Sequence, residues 1–435
     1  MSSISTSSIS TSSISTSSIS TTEAGPTPAE PVSGLPAGLT FLFAVSVAIA
    51  VLGLFASQSL IGLIGPAFDF SAGEAGFVTT LTLLGYASGL FLLVPLADIV
   101  ENRSLIVATL AVEAVALAAV ACAPTPAWFL AACYVCGLAA SAIQMMVPAA
   151  AQLSSPACRG RVVGNVMSGL MIGILLSRPA ASLVAEIAGW RWFYGGLAVL
   201  VAVLAAILAF VIPRRQPAGT VSYARLIGSL WTILRQEPVL RRRAAYQALC
   251  MGAFGVFWTS VALRLAQAPF GLGQTGIALF AFAGAAGAVV APLAGRAGDK
   301  GRTRGATLLA HLAVIGAMVL AQIGGDFLAR GASPGAFHGA LATLVAAAVL
   351  LDLGVVGDQT LGRRAINLLQ PEARGRVNGL FTGLFFIGTS TGAGLSGFAW
   401  VHAGWPGICA VGAAFGVAAL ITFLTEQAGG GASRG

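Results

Sequence analysis

The chain has 435 residues, of which 57% are hydrophobic and only 9% charged, with a net charge of +8 and a mean hydropathy of +0.89. A soluble domain carries roughly 25% charged residues, so this chain cannot cover itself with polar surface and must sit in a bilayer. Its basic residues are scattered through short breaks between apolar stretches, a pattern that orients a membrane protein and argues against a nucleic-acid-binding face.

The first residues repeat SSIST four times, from Ser2 to Thr21. With no basic or apolar core region, the segment does not read as a signal peptide, and a disordered polar tail is expected over 1–37. Six apolar spans follow over 40–64, 75–97, 104–123, 127–150, 162–187 and 190–212, numbered here 1 to 6. Spans 7 to 12 are expected over 245–265, 276–297, 305–324, 339–362, 378–401 and 406–425. Each is near the roughly 20 residues that a crossing helix needs. Ser71 and Glu74 form a capping box at the start of span 2.

Nineteen basic residues lie after even-numbered spans or in the C-terminal tail. Only Arg191, Arg264 and Arg330 follow odd ones. The positive-inside rule therefore predicts that both termini are cytoplasmic.

The sequence also repeats itself. PACRGRVVG from Pro156 matches PEARGRVNG from Pro371, and the same offset of 215 carries Gly189-Trp190 onto Gly404-Trp405 and Gln144 onto Gln359. PLA at 95–97 matches PLA at 292–294. Two six-helix bundles of equal orientation are expected, over 38–212 and 244–425, with a cytoplasmic linker over 213–243 and a tail over 426–435. Within the linker, YARLIGSLWTILRQ reads as an amphipathic helix on the inner membrane surface. Parallel repeats of this kind are an architecture of secondary transporters, with a site at the midplane between the halves.

A few ionisable residues interrupt the spans, and these are functional candidates by default. Arg178 stands about 24 Å into span 5 at 1.5 Å per residue, too deep to snorkel. As a planar permanent cation it suits a carboxylate on a substrate or on the protein; the alternative is a structural pair with a helix-end carbonyl or Glu186. Asp352 lies near the middle of span 10. Gln359 and Arg363 continue its face, whereas Asp358 lies about 120° away. A carboxyl out of water can load and release a proton, which makes Asp352 the first candidate for proton coupling, ahead of Asp358 and of Glu113 in span 3. For each, permanent pairing or interhelical hydrogen bonding is the competing reading.

Glycines in span 5 (Gly164, Gly169, Gly173) and span 11 (Gly379, Gly383, Gly388, Gly392) permit close helix approach, read as packing along which the halves rock. Arg159 and Arg161, and Arg374 and Arg376, are expected to pair with Asp98 or lipid phosphate, or to serve only as topology charge. Cys133 and Cys136 form a C-x-x-C without a second pair, and His311 and His402 stand apart from other ligands in sequence, so no metal site is expected. There is no Walker A or HExxH sequence, so neither ATP drive, a cofactor nor an enzymatic activity is expected.

PLADIVENRS after span 2 resembles the G-x-L-A-D-R-x-G-R-R/K signature of the major facilitator superfamily. Leu96, Ala97, Asp98 and Arg103 match, Val94 replaces the usual glycine, and Ile99, Glu101 and Asn102 depart. The second copy, PLAGRAGDKGR, keeps Asp299, Lys300 and Arg302. Longer stretches, among them RGRVVGNVMSGLMIGILLSR and GWRWFY, are similar to YnfM-type transporters, a branch like the drug–proton antiporters.

The resemblance implies an all-α integral membrane protein with twelve transmembrane helices in two parallel six-helix repeats. Spans 1, 4, 7 and 10 would line a central cavity, which places Gln58, Gln144, Trp258 and Phe257 there and leaves span 3 with Glu113 outside. It implies a monomeric transporter of the bacterial cytoplasmic membrane whose partners are a small-molecule substrate, protons and the lipid bilayer. Efflux by proton antiport is the expected activity. A proton-coupled importer of a sugar or organic anion, and a non-transporting sensor or scaffold, are the alternatives.

Overall fold

The computed structural model describes residues 36–216, 222–327, 334–369 and 373–430. The repeats of the N-terminal tail, Arg330, part of the linker and Arg434 lie outside the described residues. Among the described residues every regular element is helical. The spans are Ala37–Ala67, Gly73–Asp98, Asn102–Ala121, Pro126–Gln152, Arg159–Ala188, Trp190–Val211, Pro238–Ala266, Gln274–Asp299, Thr303–Asp326 and Gly335–Ile366, followed by Arg374–Thr425. This last stretch of 52 residues holds two crossings, spans 11 and 12, because Gly404 breaks it at φ 58° and ψ −146°. Gly189, its counterpart in the repeat, breaks spans 5 and 6 apart at φ 93°. Both turns need the left-handed region, which only glycine enters without strain.

Span ends are set by local chemistry. The Ser71–Glu74 capping box forms as expected. Thr125 accepts from the Trp128 amide, with Pro126 at the first helical position. Glu101 caps span 3 through the Arg103 and Ser104 amides. Span 7 starts seven residues earlier than hydropathy suggests, because its helix continues past the apolar stretch through Arg241, Arg242 and Arg243.

Because successive spans alternate in direction, the described parts of the loops after even spans and of the linker, with both described chain ends, lie at one end of the molecule, called here the linker end. The halves, spans 1–6 and 7–12, meet along spans 2 and 11 for their full length. Ser390 donates to the Thr80 carbonyl at 2.9 Å, Gly73 abuts Gly397, and the Phe91 ring lies over Gly383. Elsewhere the main contacts run from the far end to mid-depth. Span 1 touches span 7 through Leu52–Ala67, and span 5 touches span 8 through 274–285 before the two part toward the linker end. The Gln274 amide donates to Glu186 at 3.1 Å, closing that far-end contact. A groove of about 520 Å³ runs along the linker halves of spans 1 and 5, bordered by Thr40, Arg161, Asn165 and Ser168.

The linker helix Tyr223–Gln236 turns its apolar stripe, Leu226, Leu230 and Ile233, onto the protein rather than outward. It ties the two halves together: Tyr223 donates to the Leu92 carbonyl at 2.8 Å and Ser229 accepts from Arg376 at 2.9 Å.

The glycine stripes act mostly within the halves, not between them. A Cβ at Gly169 or Gly173 would strike the Ala44 or Ala48 carbonyl of span 1, and one at Gly388 or Gly392 the Ala248 or Gly252 carbonyl of span 7. Helix association in lipid relies on such van der Waals contact, so these glycines stiffen each half. Gly388→Ala is therefore expected to lower stability by about 1–3 kcal/mol, because the obstructing atoms are backbone. Gly164→Ala, which meets nothing within 4 Å, should be neutral. Thermal unfolding in detergent checks this, and equal midpoints for the two variants would contradict it.

Candidate functional site

Arg178 and Asp352 meet in the middle of the molecule without touching. Arg178 is 4% exposed and Asp352 4%, so neither snorkels. The Arg178 Nε donates to Gln58 Oε1 at 2.8 Å, and Ser59 Oγ donates to the Arg178 carbonyl at 3.2 Å. The guanidinium lies 4.3 Å from the Trp258 ring centroid, 5.3 Å from Phe55 and 5.5 Å from Phe254. On the other side Trp258 Nε1 donates to Asp352 Oδ1 at 3.0 Å. A continuous chain thus runs Gln58, Arg178, Trp258, Asp352, from spans 1 and 5 of one half to spans 7 and 10 of the other.

The energetics explain why an arginine is tolerated here. Placing one at a bilayer centre costs about 2.5–3.5 kcal/mol on insertion scales. A desolvated cation–π contact returns about 2 kcal/mol and a charge-assisted hydrogen bond about 1.5–3 kcal/mol. Two donors stay unused: Arg178 Nη2 and Gln58 Nε2 are buried without a partner. The site therefore offers hydrogen-bond donors to a carboxylate or carbonyl, walled by aromatic rings, with a carboxyl group across from them.

Span 8 passes close to Asp352. A Cβ at Gly284 would sit 3.0 Å from Asp352 Oδ2, and one at Gly287 would press on Val356. Here span 8 tightens to a 3₁₀ turn over Phe282–Ala285, a local geometry often found at hinges. It is also where spans 5 and 8 begin to part.

A second polar group lies toward the linker end. Gln144 donates to the Tyr86 hydroxyl at 3.3 Å, and Tyr86 feels the charge of Arg363, whose Nε is buried and unpartnered. The Asp352–Gln359–Arg363 face of span 10 thus turns toward the first half. Gln359 is half-buried. Phe386 of span 11 stacks edge-on against Tyr86 at 4.6 Å and lies 6.4 Å from Phe55.

The other candidates lie apart from this centre. Glu113 is completely buried within the first half, and neither of its carboxyl oxygens has a partner. Asp358 points away from Asp352 and faces His311, with Oδ1 3.5 Å from Nε2. His311 is therefore not isolated, as its sequence context suggests; span packing brings it to Asp358 and Cys250. Glu186, the alternative partner for Arg178, is engaged by Gln274 instead.

In the loops, Asp98 faces Arg376 electrostatically, and Arg159 donates to the Ala151 carbonyl at 3.1 Å. Asp299 pairs with Arg364 at 3.0 Å rather than with the arginines of its own loop. That pair is exposed and worth about 0.2–1 kcal/mol, too little to lock a gate alone. The side chains of Arg103, Arg161 and Arg374 make no ion pair or hydrogen bond among the described residues.

Phe55, Phe254 and Ser59 belong to the centre and Tyr86 to the second group, and none of them is singled out by the sequence. The available signal is helical spacing: Phe55 lies one turn before Gln58, and Phe254 one turn before Trp258.

A profile of the Major Facilitator Superfamily matches residues 41–333. The chain is 34% identical over 389 residues to the Uncharacterized transporter YgaY of Escherichia coli O157:H7, covering 89% of this chain and 95% of that protein. It is 32% identical over 381 residues to the Probable transporter SCO4007 of Streptomyces coelicolor, covering 86% and 84%. Among solved structures, a single-residue mutant of the nucleoside transporter NupG superposes with a TM-score of 0.69 at 13% identity, covering 90% of this chain and 98% of that one. A bacterial homolog of the human lysosomal transporter Spinster, in an inward-facing and unoccupied conformation, gives 0.63 at 14% identity, covering 89% and 94%. These last two likenesses concern the fold.

Proposed function

Because the chain belongs to the major facilitator superfamily, we propose that it is a proton-coupled secondary transporter of a bacterial cytoplasmic membrane, exporting a small organic molecule by antiport. The observation that carries this reading is the chain Gln58–Arg178–Trp258–Asp352, which crosses between the halves at mid-depth. Asp352 is the coupling acid, and Arg178 with Gln58 holds the substrate. The bundles over 38–212 and 244–425 rock about this centre, joined by the linker over 213–243. The parting of spans 5 and 8 supports a state open at the linker end, which is cytoplasmic in this reading. Gln144, Gln359 and Arg363 lie on the path between the centre and that opening, and the loop charges at Asp98, Arg376 and Asp299 act there. The resemblance to the YnfM-type branch supports export.

The two unpartnered donors favour a second reading, proton-coupled import of an organic anion. Both readings require gradient-driven flux. Proteoliposomes carrying an imposed pH gradient, screened with aromatic carboxylates and neutral amphiphiles, test them together; wild-type protein that moves none of the compounds, against a positive-control transporter, counts against both.

The orientation has its own test in two native cysteines. Cys122 is exposed at the far end of span 3, and Cys158 is half-buried at the linker end before span 5. In intact cells an impermeant maleimide is expected to label a protein retaining only Cys122 and to spare one retaining only Cys158. The opposite pattern would invert the topology.

A further inference from the structure

We propose that Cys250, His311 and Asp358 form a binding site for one divalent transition-metal ion of the zinc class inside the second half. The three come from spans 7, 9 and 10, and their ligand atoms all lie within 4.8 Å of one another. Each residue is at most 1% exposed. Tetrahedral zinc spaces such ligand atoms about 3.5 Å apart, so an ion is reached by drawing the set inward by about 1 Å.

The polar atoms of this cluster have no other use. Both carboxyl oxygens of Asp358 and both ring nitrogens of His311 are buried without a hydrogen bond. A buried polar atom left unpaired is costly, and an orphaned set usually marks a missing water or ion. A simple His–Asp pair accounts for only one oxygen and one nitrogen, at 3.5 Å, and gives the thiol of Cys250 no part. A divalent cation engages all three residues. Thiolate and carboxylate supply two negative charges against its two positive ones, and the neutral imidazole adds none. The complex is then uncharged in a medium where net charge is penalised.

The surroundings hold the ring in place. Tyr246 and Phe423 both meet the His311 ring edge-on, each at 5.6 Å. Gln247, three residues before Cys250, donates to the Val355 carbonyl at 3.4 Å and leaves Oε1 as a further unpartnered acceptor. Cysteine, histidine and aspartate together suit zinc-class ions and not magnesium or calcium, which take all-oxygen shells. Asp358 and His311 lie eight residues from the linker ends of their spans, about 12 Å inside. The ion would tie spans 7, 9 and 10 into one body, apart from Asp352 and the substrate.

Cobalt(II) is the probe. The untagged full-length protein, purified in detergent and stripped with a chelator, is titrated with cobalt and read by absorption. One saturable equivalent is expected, with a thiolate-to-cobalt charge-transfer band and tetrahedral visible bands, both displaced by zinc. Cys250→Ser, nearly isosteric and so expected to fold, should lose the charge-transfer band. His311→Ala and Asp358→Asn should bind at least about tenfold more weakly. Zinc should raise the unfolding midpoint of the wild type but not of His311→Ala. Wild-type protein without saturable cobalt uptake, or a charge-transfer band that survives Cys250→Ser, would overturn the proposal.

Discussion

Asp352→Asn is expected to abolish pH-driven substrate accumulation while leaving exchange at equilibrium within a few-fold of wild type. The amide cannot carry a proton, but its oxygen can still accept from Trp258 Nε1, the bond that holds Asp352 now. The close passage of span 8, where Gly284 leaves room for the Asp352 carboxyl, tolerates an isosteric change. Size of effect follows from the coupling: one pH unit stores about 1.4 kcal/mol, a tenfold concentration ratio per proton, and the variant should show a ratio near one. Counterflow separates this from misfolding, since exchange needs the substrate-loaded carrier to reorient but not the proton-loaded return. If Asp352→Asn still accumulates substrate when a pH gradient is imposed, the coupling acid lies elsewhere, and Glu113, with both oxygens unpartnered, becomes the position to test.

Arg178→Ala is expected to raise the half-saturating substrate concentration by about 10- to 150-fold, the equivalent of the 1.5–3 kcal/mol of a charge-assisted hydrogen bond. The guanidinium has one interaction that only a ligand can complete, at the buried and unpartnered Nη2. It is also the cation nearest to mid-depth facing Asp352, with which it interacts through space. Arg178→Lys keeps the charge and loses the planar fork that lies over Trp258, so it should be intermediate. An anionic substrate makes the loss appear in affinity. If the arginine acts on Asp352 alone, the pH profile shifts and affinity holds. Normal affinity and a normal pH profile in Arg178→Ala, at normal expression, would leave Arg178 a structural charge.

What could be read from the sequence follows from what a bilayer enforces. Backbone polar groups must be satisfied inside each crossing segment, so long apolar runs become helices and their number can be counted. Arg178 and Asp352 were legible for the same reason, because a charge in an apolar run has no solvent to explain it. The break at Gly404 was visible as a repeat of Gly189. What escaped depends on packing between distant spans. Trp258 looks like one aromatic residue among several until it is placed between a guanidinium and a carboxyl. Cys250, His311 and Asp358 are 61 and 47 residues apart in sequence, and no local spacing announces that three helices bring them together. The glycines of spans 5 and 11 were legible as close-contact residues, but sequence does not tell which neighbour they approach. The neighbour is mostly within the same half.

This division matters for how the halves move. Glycine–carbonyl contacts stiffen spans 1 with 5 and 7 with 11, so each half can move as a body. Between the halves, the proposed transport cycle requires the far-end contacts of spans 5 and 8 and of spans 1 and 7 to open for substrate to leave on that side. Glu186 and Gln274 sit at that closure, while the linker helix bridges the halves at the other end.

The most direct test of proton-coupled transport is the sign of proton movement when substrate is added. Proteoliposomes containing the wild-type protein and a luminal pH indicator, with no imposed gradient, receive a transported compound from outside. Antiport predicts that the lumen turns alkaline as protons leave against entering substrate, and that Asp352→Asn gives no change. An acidified lumen would assign the protein to symport and contradict export. Substrate entry with no proton movement in wild-type vesicles would contradict proton coupling altogether.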